Sequence, residues 1–505
     1  MPFDSIPALL DANASDHTAL DAPGRRPMSY LELRNQALNT LRALNRFGVG
    51  RNDRVGMVLP NGPEAASAFV SVACAATCAP LNAAYRQEEL EFYLEDLNAK
   101  ALIVPVGEDS AATAAAQKLG IPLVEMVTEP DKPAGWFALQ GDPGGEPARA
   151  GLAHSDDVAL VLHTSGTTAR PKIVPLTHGN VCASAANIAH TLRLTPQDRC
   201  LNVMPLFHIH GLIGAVLSSL SAGAQVICTP GFHAMRFFGW MEELQPSWYS
   251  AVPTMHQAIL SRAPRNEDII ADSRLRLVRS SSAALPPQVL AELERTFRCP
   301  VVESYGMTEA AHQMAANPLP PQPRKPGTVG PAAGPEIAVM DDAGNLLPQG
   351  ATGEVVIRGR NVTPGYDKNP EANAKSFTDG WFRTGDQGFL DEDGYLTISG
   401  RLKEIINRGG EKVSPREIDE VLLDHPGVAQ AVTFGMPHDK LGEEIAAAVI
   451  LREGTELTER ELRDFAAAKL ADFKVPRKIL FLTEIPKGPT GKVQRIGLAA
   501  KLGLG

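Results

Sequence analysis

The sequence predicts an α/β protein with a large N-terminal domain and a small C-terminal domain. Helix-like and strand-like segments alternate from about residue 28 to 125 and again to about 316, which is typical of a sheet covered by helices. Short β-type runs between Gly and Asp turns occupy residues 335 to 400, and they indicate a small antiparallel barrel or sheet. Beyond Gly400 the mixed pattern returns, so we place a domain boundary between residues 400 and 401.

Apolar periodicity predicts the individual elements in order. The N-terminal part is predicted to contain, in sequence, a helix at 30–47, a strand at 54–59, helices at 64–76 and 87–97, and strands at 101–104 and 158–162. Residues 127 to 156 are rich in Pro, Gly and Asp, and they read as a surface loop. The β-type region is predicted to contain strands at 336–340, 353–358 and 395–399.

Size and charge narrow the classes of function. The 505 residues are too many for one hydrophobic core, and the net charge of −10 argues against a general nucleic-acid surface. No apolar window reaches the roughly 18 residues of a membrane span, and the N-terminus shows no signal-peptide pattern. The six cysteines form no zinc pattern. We therefore expect a cytoplasmic protein with reduced thiols and without nucleic-acid or membrane partners.

A loop rich in hydroxyl groups follows the predicted strand at 158–162. It reads Thr164-Ser165-Gly166-Thr167-Thr168-Ala169-Arg170-Pro171-Lys172. Its backbone N–H and side-chain O–H donors can wrap phosphate oxygens, and Lys172 adds a positive charge. The spacing is not that of a Walker A loop, and an ordinary Ser/Thr turn is the alternative for these residues alone.

A second motif follows the apolar pair Val301-Val302 and reads Glu303-Ser304-Tyr305-Gly306-Met307-Thr308-Glu309. Glu309 is a natural Mg²⁺ ligand, because this ion takes oxygen ligands and usually shares them with phosphates. The alternative is an ordinary strand-to-helix junction with Thr308 as the N-cap.

Three further segments carry candidate residues near the predicted boundary and beyond it. Asp386 follows a Thr-Gly turn and suits two adjacent ribose hydroxyls, although Asp is also common in β-turns. Gly409-Gly410 permits close backbone approach of a ligand, and the charges around it also fit a hinge or a solvated linker. Lys492 lies on a Gly-rich loop, where it could reach into a cleft or remain a surface lysine.

In this order, these segments resemble the adenylate-forming superfamily of acyl-CoA synthetases, luciferases and peptide-synthetase adenylation domains. The resemblance runs from about Ser29 to Lys492, with Ala169 where most members have Gly. Within the superfamily the chain looks most like the oxalyl-CoA synthetases, the oxalate–CoA ligases of plants, yeasts and bacteria. The segments that carry this likeness are residues 305–320, 324–330, 358–372 and 407–415.

The resemblance implies an AMP-forming ligase that uses ATP, Mg²⁺ and CoA. Residues 1–400 would form the adenylation domain, and residues 401–505 a small mobile α+β domain that carries the catalytic lysine. The implied ATP and metal ligands are Thr164, Ser165, Gly166, Thr167, Thr168 and Lys172 at the phosphates, Tyr305, Gly306 and Thr308 at the nucleotide, Glu309 and Thr168 at Mg²⁺, and Asp386 and Arg401 at the ribose. The implied residues of the two half-reactions are Lys492 for adenylation, Lys403 at the hinge, Gly409 and Gly410 near the pantetheine, and His208 at the entrance for the thiol.

Oxalate has no apolar part, so its pocket must supply hydrogen-bond donors to the second carboxylate. The hydroxyls of Ser280, Ser281 and Ser282 are candidates, together with His208. His312 would face the same side as Thr308 if a helix starts there, and His256 is a weaker candidate. The pair His208 and His210 lacks further metal ligands nearby. The alternatives are a CoA ligase for malonate, a medium-chain fatty acid or a cinnamate, a carrier-loading adenylation protein, and a non-catalytic nucleotide-binding relative.

Overall fold

The computed structural model describes residues 3–164, 171–486 and 493–505. The chain splits into two compact units. The first comprises the described residues of Met1–Thr164, Lys172–Glu336 and Ile357–Lys375, and the second comprises Pro171 and the described residues of Ile337–Val356 and Ser376–Gly505. The predicted domain boundary between residues 400 and 401 was placed at a change in the sequence pattern, and it stays a prediction.

Two largely parallel sheets form the framework of the first unit. Their strands are β1 Thr18–Asp21, β2 Met28–Ser29, β3 Arg54–Met57, β4 Thr77–Pro80, β5 Ala101–Pro105, β6 Leu123–Val127, β7 Ala138–Gln140, β8 Val158–His163, β9 Ile173–Thr177, β10 Arg199–Asn202, β11 Gln225–Cys228, β12 Trp248–Ala251, β13 Leu277–Ser280, β14 Val301–Met307 and β15 His312–Ala316. Within the described ranges, one sheet has seven strands in the order β7-β6-β5-β3-β4-β8-β9, and the other has eight in the order β15-β14-β13-β12-β10-β11-β1-β2.

The inner strands of both sheets are parallel, and antiparallel partners close the edges, namely β7 and β9 in one sheet and β2 and β15 in the other. Parallel strands are buried on both faces, so their sequences read as continuous apolar runs. For example, Leu277, Val278, Arg279 and Ser280 of β13 are all buried, although the last two are polar. Burial of the polar residues Arg279 and Ser280 departs from the apolar pattern, so apolar packing alone does not explain their position.

Helices connect the strands of the first unit. They are α1 Ile6–Asn13, α2 Tyr30–Arg46, α3 Pro63–Ala73, α4 Gln87–Leu97, α5 Ala111–Leu119, α6 His178–Thr191, α7 Ser218–Ser221, α8 Phe237–Leu244, α9 Pro253–Leu260, α10 Glu267–Ala271, α11 Pro287–Phe297 and α12 Pro370–Ser376, with a π-helical segment at His210–Leu217. Ser29 begins α2 with a capping box to Glu32, which satisfies two backbone donors of the first turn. Pro63 at the start of α3 supplies a φ suited to the first helical position.

The second unit combines an antiparallel sheet with an α+β segment. Its elements are β16 Glu336–Met340, β17 Gly353–Arg358, β18 Phe377–Thr378, β19 Trp381–Leu390, β20 Leu396–Arg401, β21 Ile406–Arg408, β22 Glu411–Val413, α13 Pro415–Leu423, β23 Val428–His438, β24 Gly442–Leu451, α14 Glu459–Ala467, β25 Lys478–Phe481 and α15 Leu498–Lys501. Among the described residues, β16 to β20 form one five-stranded sheet and β21 to β25 form another.

The predicted α/β fold is confirmed, and the helix at 87–97 and the strands at 336–340 and 353–358 have the predicted bounds. The predicted loop at 127–156 contains a short edge strand, Ala138–Gln140, which pairs with β6. All six cysteines are buried free thiols, and burial raises the pKa of each. Across the described ranges, no helix has the length and apolar character that crossing a bilayer requires.

Candidate active site

Neighbouring parallel strands of the eight-stranded sheet end side by side at one edge. Ser250 on β12 lies opposite Arg279 on β13, and Ser280 lies opposite Glu303 on β14. Ligands of open parallel sheets bind beyond the carboxyl ends of the strands. This edge is therefore where the predicted acid-binding residues are expected to meet.

His312 reaches this edge by a route that differs from the predicted one. The condition for that placement, a helix starting at Thr308, is not met, because the structure has a single 3-10 turn, Thr308–Ala310, followed by β15. Ala311 and His312 have φ values of 47° and 100°, so the backbone reverses and β15 runs antiparallel to β14. A Cβ on Gly306 would lie 1.7 Å from the carbonyl oxygen of His312, so glycine is required where the two strands meet.

A buried arginine lies at the centre of this edge. The Arg279 side chain is fully buried, and its Nη1 lies 3.0 Å from His312 Nε2 while its Nη2 donates to Gln313 Oε1 at 3.3 Å. Burial lowers the pKa of Arg279 to about 9, because desolvation disfavours the cation. Its hydrogen-bond partners within the described ranges include no carboxylate. A buried cation without an acidic partner favours the binding of an anion nearby.

His210 joins this arginine to the predicted serines. It opens the π-helical segment, a form that is frequent at functional sites. Its Nε2 lies 2.6 Å from Ser250 Oγ, and its Nδ1 lies 3.0 Å from Ser282 Oγ. Its ring stacks on that of His312 with centroids 5.0 Å apart. We call Arg279, Ser250, His210, Ser282 and His312 the Arg279 cluster.

The remaining acid-binding candidates lie in different surroundings. Ser281 Oγ donates to the Ser304 carbonyl at 3.0 Å, while buried Ser280 Oγ has no hydrogen-bond partner among the described residues. His208 Nδ1 accepts the backbone N–H of His210 at 3.2 Å, so His208 lies beside the cluster. His256 is fully buried against Tyr249, and burial lowers its pKa to about 3. Of the three predicted serines, only Ser282 has a contact that joins it to the cluster.

Glu309 lies in the turn that follows β14 and is buried. Its Oε1 accepts the Tyr366 hydroxyl at 2.7 Å, and its carbonyl accepts the Thr363 N–H at 2.7 Å. Lys172 Nζ lies 4.3 Å from the centre of the Tyr366 ring, within the range of a cation–π contact. A fixed carboxylate fits Mg²⁺, because this ion takes oxygen ligands from one or two carboxylates and completes its shell with water and phosphate.

The ends of the predicted phosphate loop are held together by β8 and β9. Thr164 N donates to the Lys172 carbonyl at 2.9 Å, and Thr164 Oγ1 accepts the Lys172 N–H at 3.1 Å. Ser165, Gly166, Thr167, Thr168 and Ala169 lie outside the described residues. Tyr305, half-buried on β14, pairs with Ala315, and Thr308 opens the 3-10 turn that carries Glu309. Thr164 and Lys172 lie next to β8 and β9 of the seven-stranded sheet, and Tyr305 and Thr308 lie at the end of β14 in the eight-stranded sheet, within the same unit. Their roles toward ATP stay predictions.

In the second unit, the predicted ribose ligands are partners. Asp386 on β19 lies opposite Arg401 on β20, and Oδ1 of Asp386 lies 3.1 Å from Nε of Arg401. The Asp386 side chain is 5% exposed and that of Arg401 is 56% exposed. Lys403 lies in the exposed 3-10 turn Leu402–Glu404 directly after β20. The hinge role of Lys403 stays a prediction.

Gly409 and Gly410 form the two-residue turn between β21 and β22. Their φ values are 60° and 101°, which only glycine adopts readily, and such turns match the twist of a β-hairpin. The turn alone therefore explains the double glycine, and the approach of pantetheine stays a prediction. Lys492 lies outside the described residues.

Sequence reasoning gave no role to Ser250, Arg279, Gln313 or Tyr366, and it considered His210 only as a possible metal ligand. The available signal for Arg279 was a charged residue inside an otherwise apolar strand pattern. His210 and Tyr366 lie inside segments that the motifs already marked, but their contacts join residues 40 and 57 positions apart. No local pattern predicts contacts over such separations.

Two family models match the chain. The AMP-binding enzyme model matches residues 10–367, and the AMP-binding enzyme C-terminal domain model matches residues 417–492. Among curated proteins, the chain is 47% identical to a probable CoA ligase, CCL9, of Humulus lupulus, over 96% of this chain and 93% of that protein. It is 44% identical to an oxalate–CoA ligase of Arabidopsis thaliana, over 98% of both chains. It is 35% identical to a sulfoacetate–CoA ligase of Cupriavidus necator, over 98% of this chain and 97% of that protein.

A solved structure extends the similarity to the whole fold. The crystal structure of ATP-bound MatB from Rhodopseudomonas palustris matches with a TM-score of 0.88 and 30% identity, over 99% of both chains. The match therefore includes the eight-stranded sheet that carries the Arg279 cluster, and it also includes the C-terminal α+β segment.

Proposed function

The chain belongs to the AMP-binding enzyme family, the adenylate-forming superfamily of acid–CoA ligases, and on that premise we propose that its acid substrate is oxalate. The reaction would convert oxalate and ATP to oxalyl-adenylate and pyrophosphate, and then transfer the oxalyl group to CoA with release of AMP. The observation that carries the choice of acid is the Arg279 cluster, a buried cation with imidazole and hydroxyl groups and no carboxylate among its described contacts.

The cluster favours a small dianion over an acid with an apolar tail. An alkyl or aryl group beside the cluster would leave the buried cation of Arg279 without a counter-charge, so its desolvation would stay uncompensated. A second carboxylate would instead receive charge-assisted hydrogen bonds, which are roughly twice as strong as neutral ones. Oxalate brings two carboxylates and no apolar part, so it suits these donors.

In the first half-reaction, an oxalate oxygen attacks the α-phosphorus of ATP and pyrophosphate leaves. We assign Thr164, Lys172 and residues 165–168 to the phosphates, with Tyr305, Gly306 and Thr308 at the nucleotide and Asp386 and Arg401 at the ribose. Glu309 and Thr168 would hold Mg²⁺, which when bound neutralises charge on the phosphates. Lys492 would contact the substrate carboxylate and the α-phosphate, where negative charge develops.

In the second half-reaction, the thiol of CoA attacks the acyl carbon of the adenylate and AMP leaves. We assign Gly409 and Gly410 to the pantetheine and His208 to the entrance of the thiol. Between the two steps, the C-terminal domain would rotate about Lys403. This rotation would remove Lys492 from the reacting groups and bring the Gly409–Gly410 turn towards them. The buried, reduced thiols fit a reducing compartment, so we propose a cytoplasmic location.

A CoA ligase for another small dianion is the second candidate function. Sulfoacetate combines a carboxylate with a sulfonate, and the sulfoacetate–CoA ligase of Cupriavidus necator is 35% identical to this chain. Malonate belongs to the same class of substrate. Medium-chain fatty acids and cinnamates are the monocarboxylate alternatives, and the Arg279 cluster argues against both.

The test is a screen of acids with the purified protein, ATP, Mg²⁺ and CoA. The panel contains oxalate, malonate, sulfoacetate, glycolate, octanoate and cinnamate, and the products are quantified as AMP, pyrophosphate and acyl-CoA. We expect the highest kcat/KM with oxalate and AMP as the nucleotide product. A higher value for sulfoacetate or malonate would transfer the assignment to that dianion, and a preference for octanoate or cinnamate would contradict it. Release of ADP would contradict the adenylate mechanism.

A further inference from the structure

Arg279 occupies a position that packing alone does not account for. It is one of the largest fully buried side chains, and its Nε has no hydrogen-bond partner among the described residues. Replacing a buried ion by an apolar residue of similar volume is often neutral or stabilising. A buried guanidinium without a carboxylate is therefore costly for the folded state, and this cost points to a functional use.

The contact with His312 fixes the position of a proton. A guanidinium has only donors, so the 3.0 Å contact of Arg279 Nη1 requires His312 Nε2 to accept. His312 is then neutral, and its proton is on Nδ1. With that proton on Nδ1, the imidazole has its hydrogen-bond donor at Nδ1.

A second chain of hydrogen bonds starts at the same guanidinium. Ser250 Oγ accepts from Arg279 Nη1 at 3.4 Å, and the one acceptor within reach of the Ser250 hydroxyl among the described residues is His210 Nε2 at 2.6 Å. Ser250 therefore donates to His210, whose proton is on Nδ1 and points to Ser282 Oγ at 3.0 Å. Since Ser282 Oγ accepts this hydrogen bond, its own hydroxyl hydrogen is available to a ligand, and Ser282 is partly exposed.

We propose that Arg279 is a specificity-determining positioning residue, which sets His312 Nδ1–H and the Ser282 hydroxyl as donors to the second carboxylate of the substrate. The inference rests on the proposed function, because it assumes a dianionic acid. Arg279 acts through these two side chains and through its charge, and it need not touch the substrate.

The packing of Gly214 supports this arrangement. A Cβ at Gly214, in the π-helical segment, would lie 2.7 Å from His312 Nε2 and 3.2 Å from Arg279 Nη1. Glycine therefore lets the segment approach the Arg279–His312 contact without displacing it. Gly214→Ala provides a way to disturb this contact while every charge is kept.

The experiment compares kcat/KM for oxalate with that for glycolate, which carries one carboxylate. Arg279→Met removes the charge and the donors at similar length, and we expect the oxalate-to-glycolate ratio to fall about tenfold to 100-fold. Arg279→Lys, which keeps the charge but not the forked donors, should restore part of the ratio. KM for ATP should stay near wild type in both variants. Arg276→Met is the matched control, because Arg276 lies just before β13 but pairs with Asp198.

Gly214→Ala should lower the same ratio, and Gly239→Ala is its control, because a Cβ at Gly239 in α8 meets no atom within 4 Å. In the wild type, nitrogen-15 NMR of the imidazoles should find His312 as the Nδ1–H tautomer, and this measurement decides even if Arg279→Met does not fold. An Nε2–H tautomer, or an unchanged ratio in folded Arg279→Met, would overturn the inference. A wild-type protein without preference for a dianion would overturn the proposed function itself. Failure of the proposed function is therefore seen in the wild-type substrate preference, and failure of the inference in the variants and the His312 tautomer.

Discussion

The Arg279 cluster and the Asp386–Arg401 pair hold their arginines in opposite ways. Arg279 is fully buried, and its contacts among the described residues are imidazole, hydroxyl and amide groups. The Arg401 side chain is 56% exposed and lies 3.1 Å from a carboxylate. An exposed guanidinium remains hydrated and can change its contacts, whereas a buried hydrogen-bond network fixes the direction of each donor.

If the two regions have their proposed roles, this difference separates recognition of the acid from binding of the nucleotide. The donors of the Arg279 cluster are set before a ligand arrives, so discrimination between acids should depend on that network. In the second unit, the Arg401 side chain is exposed while Asp386 is buried, so Arg401 can change its contacts if, as we propose, Asp386 binds the ribose hydroxyls. Variants of the two regions should therefore change different kinetic constants, and the following measurements test that expectation.

The largest effect is expected outside both regions, at Lys492. Lys492→Ala removes the cation proposed to stabilise the charge on the α-phosphate, so adenylation should fall about 100-fold to 1,000-fold. Thioester formation from supplied oxalyl-adenylate should stay near wild type, as should the preference for oxalate in the residual activity. Lys501→Ala, in the exposed part of α15, is the matched control. Equal loss in both half-reactions would contradict a lysine that serves one step.

His312→Ala should produce the next largest effect. It removes a donor to the second carboxylate, so kcat/KM for oxalate should fall about tenfold to 100-fold, while that for glycolate changes little. His190→Ala, at the exposed end of α6, is the matched histidine control. If both acids lose equally, His312 serves the shared adenylation chemistry and the two regions are not separate.

Glu309→Gln should affect metal dependence. The amide keeps the size of the side chain but loses the charge that Mg²⁺ favours, so kcat/KM for ATP should fall about tenfold. Raising the Mg²⁺ concentration should restore part of this loss, and removing Mg²⁺ with a chelator should abolish the wild-type activity. The oxalate-to-glycolate ratio is the internal control and should not move. If added Mg²⁺ does not relieve the loss, the role of Glu309 is structural, through its hydrogen bond with Tyr366, and not metal binding.

The smallest effect is expected at Asp386. Asp386→Asn removes the charge partner of Arg401 and weakens acceptance from the ribose hydroxyls, so KM for ATP should rise about threefold to tenfold. The preference among acids should be unchanged. A change in the oxalate-to-glycolate ratio would show that this pair also influences recognition of the acid, and the contrast between the two regions would then be wrong.

Local patterns predicted much of the fold, because the apolar periodicity of a helix or strand is visible within a few helical turns or strand residues. The helix at Gln87–Leu97 follows from its apolar spacing, and the buried strand at Val158–His163 follows from a continuous apolar run. The route of the chain after Thr308 could not be predicted in this way. Alanine rarely adopts a positive φ, so the left-handed conformation of Ala311 carries no local sequence signal, and a helix was a reasonable expectation there.

The sequence by itself determined the family, the order of the motifs and the identity of most residues proposed to bind ATP, because those signals lie within short continuous segments. Only the tertiary structure decided which residues form the Arg279 cluster, which we propose binds the acid. Arg279 meets His312 across 33 positions of the chain, and His210 meets Ser250 across 40. Parallel strands bring such residues together only after their crossover helices have packed, and burial then turns ordinary polar side chains into a network of fixed donors.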